Sequence, residues 1–224
     1  MHSEFPGRPR LHKGALLVYP SQTPGPPPAV IVFQFNPEQI RRSLEKRAAP
    51  SPSSSVGGAR EDVLRVLGPP IETVNLTVEL DAADQLETPL LNPVVVAHGL
   101  HPVLATLELL LYPPTALIDE LLALEETGKV QVCPADIPLT LLVWGPSRVM
   151  PVLLNSFSVT EQAFDPDLNP IQAQVELGFR VLTYMELEQS TVGRNSYMAY
   201  QAQKEALAAL YSPVSVQAGG PAPL

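Results

Sequence analysis

The most regular pattern in the chain is an alternation with a period of two over residues 171–181. There Ile171, Ala173, Val175, Leu177, Phe179 and Val181 interleave with Gln172, Gln174, Glu176 and Arg180. A period of two marks a strand with one face buried and the other wet. Residues 73–80 repeat it: Val74, Leu76, Val78 and Leu80 fall on one face, Thr73, Asn75, Thr77 and Glu79 on the other. Asp81-Ala82-Ala83-Asp84 then closes that strand with a turn. Val149–Thr160 reads as a longer strand with Phe157 and Val159 inward. The turn-forming run Asp165-Pro166-Asp167-Leu168-Asn169-Pro170 makes it a hairpin with 171–181. Two shorter apolar runs, Gly14–Tyr19 and Leu139–Trp144, complete this set, the second turned by Gly145-Pro146.

A different pattern marks Ala29–Phe35, which is apolar except for Gln34 and rich in β-branched and aromatic residues. It predicts a buried strand. Asn36-Pro37 stops it, because proline cannot donate to a ladder and asparagine tolerates turn conformations. Ile40–Lys46 then reads as a second strand with a charged outer face. On this reading Asn36 holds the turn through bonds to nearby backbone amides, and the stretch is the element around which the chain is arranged.

The period lengthens over Leu90–Glu126. Pro102 suits the first turn of a helix carrying Leu104, Leu107 and Leu111, and Pro113-Pro114 ends it. Thr115 can cap a second helix with a stripe of Leu117, Ile118, Leu121, Leu122 and Leu124, stopped at Gly128. Residues 196–211 predict a modest amphipathic helix, and 212–224 a Gly/Pro/Ala tail. Strands, one helical insertion, more strands and a terminal helix predict a mainly β (α+β) fold, an antiparallel β-sandwich or barrel rather than βαβ units. The expected domains are a flexible arm at 1–13, a β domain at 14–190 with its helical insertion at about 92–127, and a helix with a flexible tail at 191–224.

Composition sharpens this. The 26 prolines are more than twice the usual share of about 5%, so elements should be short. Residues 48–59 have the Ser/Pro/Gly content of a mobile loop, and 51–58 are expected to order only against a neighbour. The one cysteine, Cys133, cannot form an internal disulfide. No secretory signal is visible at the N-terminus. The greasiest window, 90–112, contains Asn92, His98, His101 and Glu108, which makes it a poor membrane span and a better buried helical segment. The chain therefore reads as a soluble protein.

Charge is uneven: residues 1–65 hold nine Lys/Arg against five Asp/Glu, and the remainder five against eighteen. An acidic body argues against nucleic-acid binding, which needs a basic face. The basic N-terminal part is either solvated surface or one half of a head-to-tail electrostatic match between copies or partners.

Candidate chemistry is sparse. Asp81 and Asp84 form a carboxylate pair suited to acid/base or cation work, but also to capping a turn, the plainer reading. His98 and His101 are spaced for one metal only if helical, and no third ligand follows at a recognisable spacing. Cys133 reads as core, and the Asn75-Leu76-Thr77 sequon lies inside a strand. No P-loop, dinucleotide fingerprint, nucleophile elbow or zinc-ligand set is present. No catalytic, cofactor-binding or metal residue is assigned, and the chain is not expected to be an enzyme.

Taken together, His12-Lys13-Gly14-Ala15-Leu16, Val32-Phe33-Gln34-Phe35-Asn36-Pro37-Glu38, Gly68-Pro69-Pro70-Ile71-Glu72-Thr73-Val74 and Val78-Glu79-Leu80-Asp81-Ala82-Ala83-Asp84 resemble the N-terminal domain of contractile injection system tube-associated proteins. The similarity extends loosely through 149–183 and covers the chain to about residue 190. It implies a tail-tube β-sandwich that forms a homo-hexameric ring at the junction of tube and baseplate. The implied partners are the inner tube protein on one side, the spike or hub protein on the other, and further baseplate subunits. Neither nucleic acid nor direct membrane insertion is implied. The resemblance places the chain in the bacterial cytoplasm during assembly and then in the phage-tail-like particle. Larger members carry a C-terminal LysM module, whereas here only a short tail follows residue 211.

Overall fold

A computed structural model describes residues 12–19, 28–47, 68–113 and 137–211, with helical positions at 115, 118, 119 and 123. The fold is mainly β. Its strands are β1 (Ala15–Tyr19), β2 (Ala29–Val32), β3 (Ile40–Glu45), β4 (Ile71–Asp81), β5 (Leu139–Val143), β6 (Val149–Phe164) and β7 (Pro170–Val181). Its helices are α1 (Ala83–Leu86), α2 (Pro93–His98), α3 (His101–Glu108) and α4 (Val192–Ala209). The strands form a seven-stranded antiparallel sheet in the order β2-β1-β5-β6-β7-β4-β3.

β6 belongs to both halves of this sheet. Residues 149–152 pair with β5, and residues 156–164 continue along β7 beyond a bulge between Leu154 and Ser156. A bulge bends its strand and increases local twist, so β6 turns a corner from the β2-β1-β5 half to the β7-β4-β3 half. One contact shows how far the sheet folds over. The Gln34 side chain donates from Nε2 to Asp81 O at 2.6 Å and accepts from Asp81 N at Oε1 at 2.9 Å. Asp81 ends β4, and β2 and β4 lie five strand spacings apart in the order, about 24 Å if the sheet were flat. Gln34 is only two residues beyond Val32, a reach of about 7 Å. The halves must therefore close on each other, and Gln34 clasps them. It serves the part of β4 beyond Leu76, where the ladder with β3 stops.

The enclosed layer contains Leu16, Leu142, Met150, Val152, Val74, Val78, Val175, Leu177, Phe179 and Val181, each at most 2% exposed. Leu100, Leu104, Leu107 and Leu110, from α3 and its flanks, join the same cluster. The hairpin turn holds α2 and α3 against this end, through Leu100 N to Pro170 O at 2.9 Å and Asn169 Nδ2 to Ala97 O at 3.4 Å.

Several expectations need correction. The apolar run 29–35 is not a buried strand: β2 ends at Val32 and is an edge strand, with Val30 57% and Val32 53% exposed. Its neighbour is β1 rather than β3, and β3 lies on the opposite edge. Asn36 holds no local turn. Its Oδ1 accepts from Gly14 N at 2.8 Å and its Nδ2 donates to His12 O at 2.9 Å, so it ties the β2–β3 link to the entrance of β1. His12, Lys13 and the link are thus held together, Lys13 Nζ also donating to Gln34 O. β6 runs to Phe164 rather than Thr160. The terminal helix starts four residues before the expected 196, because the Thr191 hydroxyl accepts from Arg194 N and caps it. The window 90–112 is only partly buried: Leu90 and Leu91 are 95% and 81% exposed. The expected arm before His12, the loop at 48–59, most of the second helix and the tail after Tyr211 lie outside the described residues.

Candidate functional site

The alternation of β4 and β7 places one set of side chains in the core and leaves the other set open. Because partners across a ladder share a face, the open set lines up in rows across several strands. One row reads Ser156, Gly178, Asn75, Arg41, and the next Ser158, Glu176, Thr77. Thr160, Gln174 and Glu79 follow, then Gln162, Gln172 and Asp81. Every side chain in these rows is polar, and most are exposed. On β3 the same face carries Ser43, whose hydroxyl lies 2.6 Å from that of Thr73. The result is a polar surface dominated by hydroxyls and amides and spanning β6, β7, β4 and β3.

The first row is unusually close. A Cβ built on Gly178 would lie 2.1 Å from Ser156 Oγ and 3.1 Å from Asn75 Oδ1. Glycine lets those polar side chains meet over the strand beside the β6 bulge. A hollow of about 400 Å³ lies above this row. Hollows of about 230 and 330 Å³ lie towards Glu79, edged by Phe35.

At the other end of β4, Glu72 is a charged residue in the inward register, 4% exposed. Its Oε1 accepts from Arg42 Nε at 2.9 Å, Arg42 Nη2 at 2.6 Å and the Tyr200 hydroxyl at 3.0 Å, and its Oε2 from Lys204 Nζ at 2.9 Å. Burial alone would raise its pKa, but the bonds from Lys204 and Arg42 outweigh burial and hold it below the ordinary 4.5. Burial, followed by the Glu72 charge, pushes the Tyr200 hydroxyl up to about 12. Lys204 Nζ also sits 4.0 Å from the Tyr200 ring centroid. This cluster fastens α4 to β3 and β4, while Gly193 lets the start of the helix close onto Leu139 of β5 and Leu187.

The candidates named from sequence do not converge. Asp81 Oδ1 accepts from Ala83 N and Oδ2 from Gln172 Nε2, so this carboxylate organises the turn into α1, and Asp84 lies in that helix's first turn. His98 ends α2 and His101 begins α3, separated by Gly99 at φ 54°, so the two are not one helical turn apart on one helix. No three His, Cys, Asp or Glu side chains are arranged to hold a metal among the described residues. Cys133 lies outside those residues. Asn75 stands exposed on the polar face. Among the described residues, no helix is long and apolar enough to cross a membrane.

No family model matches the chain, and no curated protein matches it either.

Two features escaped the sequence reading. Glu72 had a visible signal: it occupies the same register as Val74 and Leu76, where a charge needs partners. Its partners, 30 residues before it and more than 120 after, could not be read from spacing. Gln34 had a weaker one, as the single polar residue in the run 29–35.

Proposed function

We propose that this chain is a structural, non-enzymatic subunit of a contractile injection system, a ring-forming initiator or adaptor between the inner tube and the spike-side hub. The observation that carries the reading is the polar surface across β6, β7, β4 and β3. A sheet with one face in the core and the other lined by Ser, Thr, Asn and Gln suits the wall of a water-filled channel when several copies, expected to be six, stand side by side. Among the described residues β2 and β3 are the edges of the sheet, where a neighbouring copy could pair. The sequence resemblance supplies the kind of particle. A tube or tube-cap subunit uses the same surface at a different axial position.

Electron microscopy of assembled particles tests this. The expected result is a ring on the particle axis, with strands β4 and β7 facing the channel. A lone copy off the axis would sink the proposal. A small-ligand or carbohydrate-binding sandwich is the reading from another class. It predicts saturable glycan binding over the hollows above Asn75 and Glu79, in place of ring formation.

A further inference from the structure

Two apolar features at opposite ends of β4 and β7 carry opposite charge at their borders. The first is a projection. Leu90 and Leu91, in the turn between α1 and α2, are 95% and 81% exposed, with Val94 56% exposed behind them. Residues 81–112 and 161–171, joined here by the Leu100–Pro170 and Ala82–Ile171 backbone bonds, contain seven Asp/Glu and no Lys/Arg. Asp84 and Glu87 flank the projection in sequence.

The second feature is a cleft of about 610 Å³ walled by Pro69, Pro70, Tyr184, Tyr197 and Met198. Its volume lies within the range of pockets that enclose ligands. Arg194 stands at its rim, its guanidinium donating to Tyr184 O at 3.0 Å and lying 5.9 Å from the Tyr184 ring centroid. Among the described residues Arg194 pairs with no carboxylate. Among the described residues the cleft is therefore lined mainly by apolar side chains, with Gln201 beside them and at its edge a cation that no carboxylate pairs, and the projection is apolar with carboxylates beside it.

A single molecule cannot join them. β4 runs from Ile71, next to the cleft, to Asp81, next to α1, and its 11 residues span about 30 Å. We propose that the Leu90-Leu91 projection of one copy seats in the Tyr184/Tyr197/Met198 cleft of a second copy, with Asp84 and Glu87 facing Arg194. Different patches meet, so the contact is heterologous: it closes into a ring or propagates, according to the rotation between copies. The acids and the arginine select the partner, and the leucines supply the buried area.

The inference builds on the reading above only in requiring that copies associate. In a Cys133→Ser background, purified Leu91→Cys and Met198→Cys chains are mixed under oxidising conditions. Disulfide-linked dimers are expected from the mixture and not from either variant alone. Separately, Leu90→Asp with Leu91→Asp, both at exposed positions, should weaken self-association at least tenfold by sedimentation, with an unchanged circular dichroism spectrum. Raised salt should weaken the native contact. The proposal is overturned if either single-cysteine chain links to itself, if the mixture does not link, if the double aspartate variant associates normally, or if the native chain stays monomeric at every concentration reachable. Cross-linking by a chain absent from tube and hub would remove the functional reading and leave this contact standing. A ring on the particle axis without the cross-link would do the reverse.

Discussion

β5 and β7 lie on either side of β6 in the same sheet and are built on opposite rules. In β7 the residues alternate, with Val175, Leu177 and Phe179 at most 1% exposed while Gln172, Gln174 and Glu176 stand open. In β5 the four residues Leu139–Leu142 are all buried, because the core covers one side and the start of α4 reaches Leu139 on the other. With both sides covered, β5 shows no alternation: its residues are apolar except Thr140, which is itself buried. An uncovered sheet face demands polar side chains at every second position. The contrast shows that the polar rows on β4, β7 and β6 mark a surface that the described elements do not cover.

The widest separation should come from paired substitutions within β7. Leu177→Ala is expected to cost about 2–5 kcal/mol, since it empties a fully enclosed site. Chemical denaturation measures it, and a loss below about 1 kcal/mol would mean that the core relaxes around the gap.

Next in size is Glu72→Ala, expected to cost about 1–3 kcal/mol. It leaves Arg42 and Lys204 without their shared carboxylate, though both are about one-third exposed and can rehydrate. Because the folded pKa of Glu72 is depressed, its contribution is fully present above the ordinary value of 4.5 and is lost as pH falls through the folded value. Melting temperature against pH should therefore drop more gently on the acid side for Glu72→Gln than for the native chain. Parallel curves would remove Glu72 from the account of acid stability.

Gly178→Ala should cost about 1–3 kcal/mol, because its Cβ would strike Ser156 Oγ. Ser156→Ala in the same chain should recover much of that. Absence of recovery would place the strain in the backbone instead. Asn36→Val, which loses bonds to Gly14 N and His12 O, is expected to cost about 1–2 kcal/mol in a melt. Smallest in stability is Gln174→Ala on the open face, about 0.5 kcal/mol or less, although particle yield should fall if that face meets a neighbour or a channel. Normal yield would reduce the face to solvated surface.

How much of this was legible depended on the range of the cause. Alternation over 73–80 and 171–181 exposed both faces of β4 and β7, and the Asp165–Pro170 run exposed their hairpin neighbour, because burial and turn chemistry act locally. The run 29–35 misled for the same reason: its apolar residues suit a core strand, yet only Phe33 within it is buried. What placed β2 at an edge was its ladder with β1 and the distant bonds of Gln34 and Asn36, and periodicity carries no trace of those. The polar face was visible strand by strand. Its rows were not, since they depend on registers such as Asn75 opposite Gly178 and Gly178 opposite Ser156.

The pairing of β4 with β7 also sets an order in time. Thr73 meets Arg180 and Asp81 meets Gln172, so about a hundred residues of chain must be made between one strand and its partner. Until then β4 lacks its β7 ladder, and its apolar side, Val74 to Leu80, has nothing from β7 to pack against. Local pairings come first: β5 with β6, and β6 with β7 across a short turn. Contacts of such long sequence separation belong to the slow-folding class. During that interval β4, like β1 waiting for β5, is open to pairing with the wrong strand, and its other face carries the polar side chains Thr73, Asn75, Thr77 and Glu79.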